Sequence, residues 1–454
     1  MNFEHVILPF QDSLSRWDIT ISDGIVTSMS PSSATSHPDL LLPGLCHAHI
    51  HLDKPYLLTC NHPSSASHPD YSDLVPQTGS FDEALTNTSL AKKRFTQPDV
   101  YLRGSQLLAA SYAQGVTSLR AFVEIDDTVG TASLESAIRL KADFSHLLHV
   151  QICAFAQDPI FSTERGELNR AILSAALDDY GADIDVLGTT PYVEKTEEAG
   201  LQNIRWAIET ALRYGLHLDF HVEYNLDPGD GLGHVGDVID FLVAQKWPTG
   251  RGAKTVVLGH ATRLTQASDR TMADLAGRLH RTRLPVHFVG LPTSDMFMMG
   301  RPSEGSPSHA RQRGTLNVPL MIREYGLNAC VAVNNVGNAF TPYGNGDPLT
   351  LASWCVGLYH AGTVDDARLL YECVSSRARE AIGLGDRGED DAYEIAEGKT
   401  WPPMLLVKNE RDAQLPGKQP GETMRIPARP RLGIKDVVWD PPAPGLRQVV
   451  HGQK

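Results

Sequence analysis

Residues 43–53 read Pro43-Gly44-Leu45-Cys46-His47-Ala48-His49-Ile50-His51-Leu52-Asp53. Successive side chains of a β-strand point to opposite faces, so an extended conformation directs all three histidines to one side. Apolar residues lead into the run and Asp53 ends it, which predicts that the histidines lie at the C-terminal end of a buried strand. Two imidazoles at this spacing can bind one zinc or iron ion. The stretch therefore predicts a metal site, although buried histidines also serve as ordinary hydrogen-bonding groups.

After this stretch, strand-like segments alternate with amphipathic helical segments. We predict eight strands, at residues 41–51, 115–124, 148–157, 184–190, 216–223, 254–260, 284–291 and 328–334. Such alternation is typical of βα units that form a parallel sheet. Eight units predict an α/β fold, a closed (β/α)8 TIM barrel, whose active site lies where the strands end and the βα loops begin.

The two ends of the chain differ from this central part. Residues 1–40 contain short strand patterns, and the sequence returns to strands, proline and glycine from about residue 395. We therefore expect residues 1–40 and 395–454 to form a small flanking β-sandwich domain beside a catalytic barrel of residues 41–394.

Composition limits the classes of partner. The 454 residues carry a net charge of −14, which argues against a nucleic-acid partner. No run of 18 apolar residues predicts a membrane span, so we expect no membrane partner. The six cysteines are scattered singly, which indicates free thiols in a reducing compartment and a cytoplasmic location. The expected partner is a small-molecule substrate, and assembly into a homo-oligomer stays open.

The fifth predicted strand alternates strictly between apolar and polar residues. The pattern directs His217, Asp219, His221 and Glu223 into the barrel. Burying polar groups costs free energy unless they bind one another or a ligand. We interpret the deeper pair, His217 and Asp219, as an internal hydrogen-bonded ladder. His221 and Glu223 lie nearer the mouth and are candidates for contacting a ligand.

Further polar residues follow other predicted strands. The sixth strand ends at His260, and the eighth ends at Asn334 and Asn335 before a loop rich in asparagine and glycine. That loop is either catalytic or an ordinary βα turn, which these residues favour anyway. Glu194, at the end of the fourth strand, is a candidate for substrate binding and proton transfer.

Two ion pairs are also predicted from residue positions. Asp53 and Lys54 are neighbours at the barrel rim, where an exposed pair contributes little stability. Arg120 and Glu124 share one face of the second strand and are expected to form a buried pair inside the barrel.

The chain resembles the amidohydrolase superfamily, and within it the cytosine deaminase branch, over nearly its full length. The matching segments are residues 43–53, 77–79, 154–157, 191–194, 221, 260–262, 300–301 and 334–349. The resemblance implies a (β/α)8 barrel with a flanking β-sandwich and hydrolysis of carbon–nitrogen bonds other than peptide bonds. The last segment resembles a fungal-type subgroup with asparagine in place of the aspartate of strand eight.

The resemblance also implies roles for individual residues. His49 and His51 match the metal-binding pair of the first strand, and His221 matches the ligand of the fifth. His260 matches a histidine that polarises the attacking water or the oxyanion. Gln157 matches a glutamine that hydrogen-bonds the amide edge of a pyrimidine substrate. The implied cofactor is one divalent metal ion, zinc or iron.

Two positions depart from the family pattern. Asn334 stands where the family has an aspartate that binds the metal and accepts a proton, and Tyr224 stands where its deaminases have a catalytic glutamate. A carboxamide can lend its oxygen to a metal but cannot act as a base near neutral pH. Because general acid–base catalysis is worth about 10²–10⁴-fold, we expect something other than an ordinary cytosine deaminase.

Three hypotheses remain open at this point. In the first, a mononuclear metal-dependent hydrolase cleaves a C–N bond of a small amide or cyclic amidine. Asn334 is then a weak fourth ligand that also contacts substrate, and His260 or Glu223 handles protons, with Tyr224 and Asn335 as further catalytic candidates. In the second, the scaffold supports a non-hydrolytic isomerase, cyclase or lyase of secondary metabolism. In the third, the protein is a catalytically silent homologue.

Overall fold

The computed structural model describes residues 1–60, 62–227, 229–301, 314–385 and 393–452. The strands are, in chain order, β1 Asn2–Leu8, β2 Asp12–Ser22, β3 Ile25–Pro31, β4 Asp39–Pro43, β5 Leu45–His51, β6 Val116–Glu124, β7 His149–Ala156, β8 Ile184–Thr189, β9 His217–Val222, β10 Val256–His260, β11 Val286–Gly290, β12 Ala329–Val331, β13 Met404–Val407, β14 Asp412–Pro416, β15 Thr423–Pro427 and β16 Arg447–Val450. The helices are α1 Phe81–Lys92, α2 Gln97–Ala113, α3 Ala132–Asp143, α4 Gly166–Tyr180, α5 Glu197–Tyr214, α6 His234–Ala244, α7 Asp269–Thr282, α8 Pro292–Met298, α9 Val318–Arg323, α10 Pro348–Leu358, α11 Val364–Cys373, α12 Ser376–Ala381 and α13 Ile434–Trp439.

Strands β5 to β12 form one parallel sheet in sequential order. The sheet closes on itself through a parallel bridge between Ile50 and Asn334. At this bridge the His51 amide donates to the Asn334 carbonyl at 2.9 Å, and the Asn334 amide donates to the His49 carbonyl at 3.1 Å. The predicted (β/α)8 barrel is therefore confirmed. Its closure brings the end of the eighth strand against the histidines of the first.

The main hydrophobic core lies between the barrel strands and the surrounding helices. Leu218, Phe220 and Val222 of β9 point outward into this layer and are buried. Phe122 and Phe155 belong to a smaller apolar cluster inside the barrel. This alternation of faces is the one that the sequence of β9 predicts. Among the described helices, none is both long and apolar enough to cross a membrane.

Both chain ends contribute to a second, six-stranded sheet with the order β16-β13-β4-β1-β2-β3. Phe3, Ile19, Leu41 and Trp401 belong to its separate apolar core. Strands β14 and β15 form an exposed hairpin apart from it. The flanking β structure from both chain ends is thus confirmed, while the division at residues 40 and 395 stays a proposal.

The predicted strand 41–51 proves to be two strands that belong to different sheets. β4 pairs with β13 in the flanking sheet, and β5 begins the barrel two residues after β4 ends. Gly44 lies between them, and a Cβ atom there would stand 2.4 Å from the Thr117 Cγ2 atom. Only glycine lets the backbone pass this close to β6. The sequence pattern missed this break because apolar residues continue across it.

A β-bulge in β5 overturns the prediction that three histidines share one face. His47 pairs with Leu119 and Ile50 pairs with Ala121, so β5 contains one residue more than β6 over this interval. An extra residue reverses the faces of the residues that follow it. His47 therefore points outward, where its Nε2 lies 3.4 Å from the Ser111 hydroxyl of α2. His49 and His51 point into the barrel.

Candidate metal centre and active site

Three histidines converge at the C-terminal mouth of the barrel. The potential ligand atoms of His49, His51 and His221 all lie within 4.8 Å of one another, and the three residues are buried. Both ring nitrogens of His49 and His221, and the Nδ1 atom of His51, have no hydrogen-bond partner. Buried polar atoms normally have partners, so these orphaned nitrogens indicate a ligand. Burial lowers the pKa of all three rings and keeps them in the neutral form that binds metals.

Below the histidines, Asp219 supports the centre. One carboxylate oxygen lies 3.7 Å from His49 Nδ1, and the other accepts a hydrogen bond from Arg120 at 2.9 Å. Arg120 therefore pairs with Asp219 across the barrel, and the predicted pair between Arg120 and Glu124 is wrong. His217, deeper in the barrel, accepts the Thr255 amide at 2.9 Å. His217 and Asp219 make the polar contacts expected inside the barrel. Their partners, Thr255 and Arg120, lie outside β9.

Asn334 lines the same pocket as His51 and His221. Its Nδ2 donates to the Ser294 hydroxyl at 2.9 Å, and that hydroxyl lies 2.7 Å from Thr341 Oγ1. The Oδ1 atom is buried without a partner. Three imidazole nitrogens and one neutral oxygen form a donor set that suits zinc or ferrous iron. The residues present thus fit a divalent ion.

His260 is held by a carboxylate that the sequence analysis did not single out. Its Nδ1 lies 2.8 Å from the Asp295 carboxylate, whose other oxygen accepts from Thr315 at 2.7 Å. Because the Nδ1 proton is donated to Asp295, Nε2 is left to accept a proton at the pocket. Asp295 belongs to α8, directly after the seventh barrel strand. In the sequence, only the position of Asp295 directly after the predicted seventh strand indicates this role, and such a position is weak evidence.

Tyr224 packs directly on His260. The two rings are 3.8 Å apart between centroids and inclined by 32°. The tyrosine hydroxyl is buried and has no partner. Burial raises the pKa of this phenol well above its usual value. Tyr224 therefore stays protonated at neutral pH, and its hydroxyl can donate a hydrogen bond but cannot act as a phenolate base.

The structure does not bring the two predicted glutamates to the pocket. Glu223 has a left-handed backbone with φ 49°, and its carboxylate accepts the His234 amide at 2.6 Å and lies 3.6 Å from Arg263. Glu194 accepts the amides of Ile160 and Ser162 at 2.8 and 2.9 Å. Both carboxylates stabilise loops, and neither lines the pocket.

A narrow, partly open pocket lies above the histidines. It is lined by His51, Lys54, Phe81, Gln157, Tyr192, His221, Tyr224, His260, Asn334, Asn335 and Phe340. Seven of these residues were candidates from sequence. His49 does not line the pocket but lies with His51 and His221 at the metal centre. Asn335 accepts from the Asn338 amide at 2.7 Å, which leaves its own N–H groups for the pocket. Lys54 and three aromatic residues were missed as pocket residues.

Lys54 lies in a different environment from the one predicted. Its side chain is buried and pairs with Glu124, which also accepts from Lys92 at 2.7 Å. Burial would raise the pKa of the Glu124 carboxyl, but the two ammonium groups outweigh it and hold that pKa low. Asp53 instead accepts the Glu124 backbone amide at 2.8 Å. The predicted rim pair of Asp53 with Lys54 is wrong, because both side chains are buried and each bonds to a different group of Glu124.

Comparisons with known proteins agree with this architecture. No protein-family model matches the chain. It is 23% identical over 401 residues to N-isopropylammelide isopropyl amidohydrolase from Pseudomonas sp. (strain ADP), covering 88% of this chain and 87% of that protein. The structure of 5-methylcytosine deaminase from Klebsiella pneumoniae liganded with phosphonocytosine superposes with a TM-score of 0.75 at 20% identity, over 99% of this chain and 95% of that one.

A zinc-containing structure is also similar. Atrazine chlorohydrolase from Arthrobacter aurescens TC1 complexed with zinc gives a TM-score of 0.54 at 16% identity, over 89% of this chain and 86% of that one. At these identities the structural likenesses establish the fold. Together with the sequence relative, they support the resemblance of this chain to the amidohydrolase superfamily.

Proposed function

We propose that this protein is a mononuclear metal-dependent hydrolase that cleaves a C–N bond in a small amide or cyclic amidine. The observation that carries the proposal is the convergence of His49, His51 and His221 with unpartnered nitrogens beside the orphaned oxygen of Asn334. The ion would be zinc or iron, held by these four residues. The relatives named above are hydrolases, one of them complexed with zinc, which favours this chemistry.

The chain's own residues account for the proton transfers. A bound divalent ion would lower the pKa of a water molecule and polarise the bond to be cleaved. His260 would accept a proton from the attacking water on Nε2, and Asp295 would stabilise the resulting imidazolium through its contact with Nδ1. The same His260 then returns the proton to the leaving nitrogen. Tyr224 holds the imidazole ring in place by stacking on it.

The pocket also supports a difference from ordinary cytosine deaminases. No aspartate or glutamate is among the described residues that line it. Gln157 and Asn335 offer amide groups that can pair with the polar edge of a substrate. The absence of a glutamate at position 224 leaves His260 as the proton carrier in our proposal. The proposed membership of the fungal-type subgroup rests on Asn334 and on the segment that it begins, residues 334–349.

We also propose a cytoplasmic location. All six cysteines are unpaired in the structure, and five of them are buried. Such thiols are typical of proteins in reducing compartments.

Metal analysis tests the centre directly. The purified protein should bind about one equivalent of zinc or iron, as expected for a three-histidine catalytic site, and His221→Gln should abolish this binding. His217→Gln is the matched control, because His217 lies on the same strand but bonds only within the barrel. A combined zinc and iron content that is negligible in the wild type, or equal in the two variants, contradicts the proposed centre.

Oxygen labelling separates hydrolysis from the non-hydrolytic alternative. With an amide or amidine substrate turned over in ¹⁸O-labelled water, the product should contain one labelled oxygen at the former C–N carbon. Turnover without label incorporation would instead support an isomerase, cyclase or lyase. A metal-loaded protein with no turnover across a panel of small amides and amidines would support a silent homologue.

A further inference from the structure

The pocket lining carries an uneven charge. The described lining residues include one cation, Lys54, and no carboxylate. The polar groups at Gln157, Asn334 and Asn335 are uncharged amides. An aspartate at position 334 would offset part of the charge of a bound metal ion, whereas none of these lining residues carries a negative charge.

Lys54 has hydrogen-bonding capacity left for a ligand. The residue is only 1% exposed, and its ammonium group pairs on one side with Glu124. An ammonium group has three N–H donors, and the Glu124 contact uses one. The ammonium nitrogen also lies 5.5 Å from the centre of the Phe340 ring, which forms part of the pocket wall. A buried charge with unused donors facing a pocket favours an anionic oxygen as its partner.

Asn334 strengthens this preference. Aspartate at this position would place a negative charge directly beside a bound divalent cation, whereas the carboxamide leaves the charge of that cation undiminished. Lys54 and the histidine centre line the same pocket. An anion placed between them would interact favourably with both.

The remaining walls suit a flat ring. Phe81 lies 5.7 Å from Tyr224 and 6.0 Å from Phe340 between ring centres, and Tyr192 lies 6.2 Å from Tyr224. Aromatic walls of this kind favour planar ligands. The amide groups of Gln157 and Asn335 match the alternating donors and acceptors of a cyclic amide.

We propose that the substrate is a planar cyclic amide or imide that binds as an anion, with its charged oxygen held by Lys54 between the aromatic walls. This inference rests on the proposed function and specifies its substrate class.

Calorimetric binding of two probes tests it without turnover. Barbiturate is an anionic planar cyclic imide at neutral pH, and uracil is a neutral ring of nearly the same shape. The zinc-loaded wild type should bind barbiturate at least about tenfold more tightly than uracil, as expected for one buried charged hydrogen bond. Lys54→Met should remove most of this preference, since methionine keeps the length of the side chain without its charge.

Two further variants sharpen the comparison. Lys141→Met is the matched control, because Lys141 pairs with Asp185 on the outside of the barrel at 2.7 Å and should not affect either probe. Asn334→Asp should weaken barbiturate binding more than uracil binding, because it adds a negative charge to the pocket.

The outcomes distinguish this inference from the proposed function. Equal affinity for the two probes, tighter binding of uracil, no binding of either, or an undiminished preference in a folded Lys54→Met protein would each overturn the inference. A Lys54-dependent preference for barbiturate in a protein that hydrolyses no C–N bond would support the inference and refute the hydrolase. The metal-free protein should retain the part of the preference that depends on Lys54.

Discussion

The carboxamide of Asn334 occupies the position where the family resemblance implies an aspartate. Its backbone has φ 67°, in the left-handed region, and Glu223 and His260 at the ends of two other barrel strands are also left-handed. Asparagine and aspartate tolerate this region better than most residues. The exchange of one for the other therefore keeps the backbone turn and changes only the charge beside the histidines.

Asn334→Asp should raise the affinity of the protein for zinc by at least about tenfold, because a carboxylate is a stronger ligand than a carboxamide and adds a favourable charge. Competition with a chromogenic chelator measures the affinity. Asn335→Asp is the control, because it adds the same charge at a neighbouring position whose side-chain oxygen already contacts Asn338. Equal gains in the two variants would show that charge, rather than coordination by residue 334, determines affinity.

The buried imidazole of His217 predicts a stability loss in acid. Burial, with further contributions from the charges of Arg120 and Lys254, lowers its pKa from 6.5 to about 2. The unfolded chain therefore binds a proton at this residue below pH 6.5 while the folded chain does not, so stability falls as the pH falls through this window. Between pH 6.5 and 4.5 the contribution is about 2 kcal/mol.

Urea unfolding of the metal-free protein at several pH values checks this prediction. His217→Gln cannot be protonated, so its free energy of unfolding should fall less than that of the wild type between pH 6.5 and 4.5. Parallel curves for the two proteins would exclude His217 as a source of the acid sensitivity.

Two local features of strand β5 determine where the barrel begins and which histidines point into it. Gly44 divides it from the flanking sheet, and the bulge after His47 decides which histidines face the barrel. Both features depend on contacts with β6, through Thr117 at the glycine and through the Leu119–Ala121 interval at the bulge.

Gly44→Ala should destabilise the protein by about 1–3 kcal/mol, because the added methyl group overlaps the Thr117 side chain and forces β5 away from β6. Denaturant unfolding measures the loss. Combining it with Thr117→Ala should recover part of that loss relative to the sum of the single changes. Simple additivity of the two substitutions would show that they do not act through this contact.

A buried ion pair joins the six-stranded flanking sheet to the loop before α10. Arg447 of β16 forms two hydrogen bonds to Asp347, at 2.8 and 2.9 Å, and a third to the Gln114 carbonyl at 3.0 Å. Asp347 is also the N-cap of α10, where its side chain accepts the Leu349 amide. The C-terminal strand thereby fixes the loop that follows Asn334 and Asn335.

Arg447→Met should lower the free energy of unfolding by about 3–5 kcal/mol, because it leaves the Asp347 carboxylate buried without its cation. Arg429→Met is the control: Arg429 also pairs with an aspartate, Asp440, but is 85% exposed, so its loss should change stability by about 0.5 kcal/mol or less. Comparable losses in both variants would contradict a specific role for the buried pair.

The sequence alone predicted the barrel and most of the candidate residues at its mouth. Hydrophobic periodicity is a local property, and it located all eight barrel strands and the alternating faces of β9. Because parallel strands align their C-terminal ends in a barrel, His49, His51, His221 and His260 could be brought together without coordinates. The likeness to known structures supports the same architecture.

Other features depended on contacts between segments far apart in the chain. The bulge that turns His47 outward arises from pairing with β6, and the left-handed turn at Glu223 removes its carboxylate from the pocket. Lys54 pairs with Glu124 of β6 and not with its sequence neighbour Asp53. Asp295, from the following βα unit, bonds to His260. Periodicity specifies which face a regular strand buries, but an inserted residue, a change in φ or a charge partner on another strand is decided only when the chain has folded.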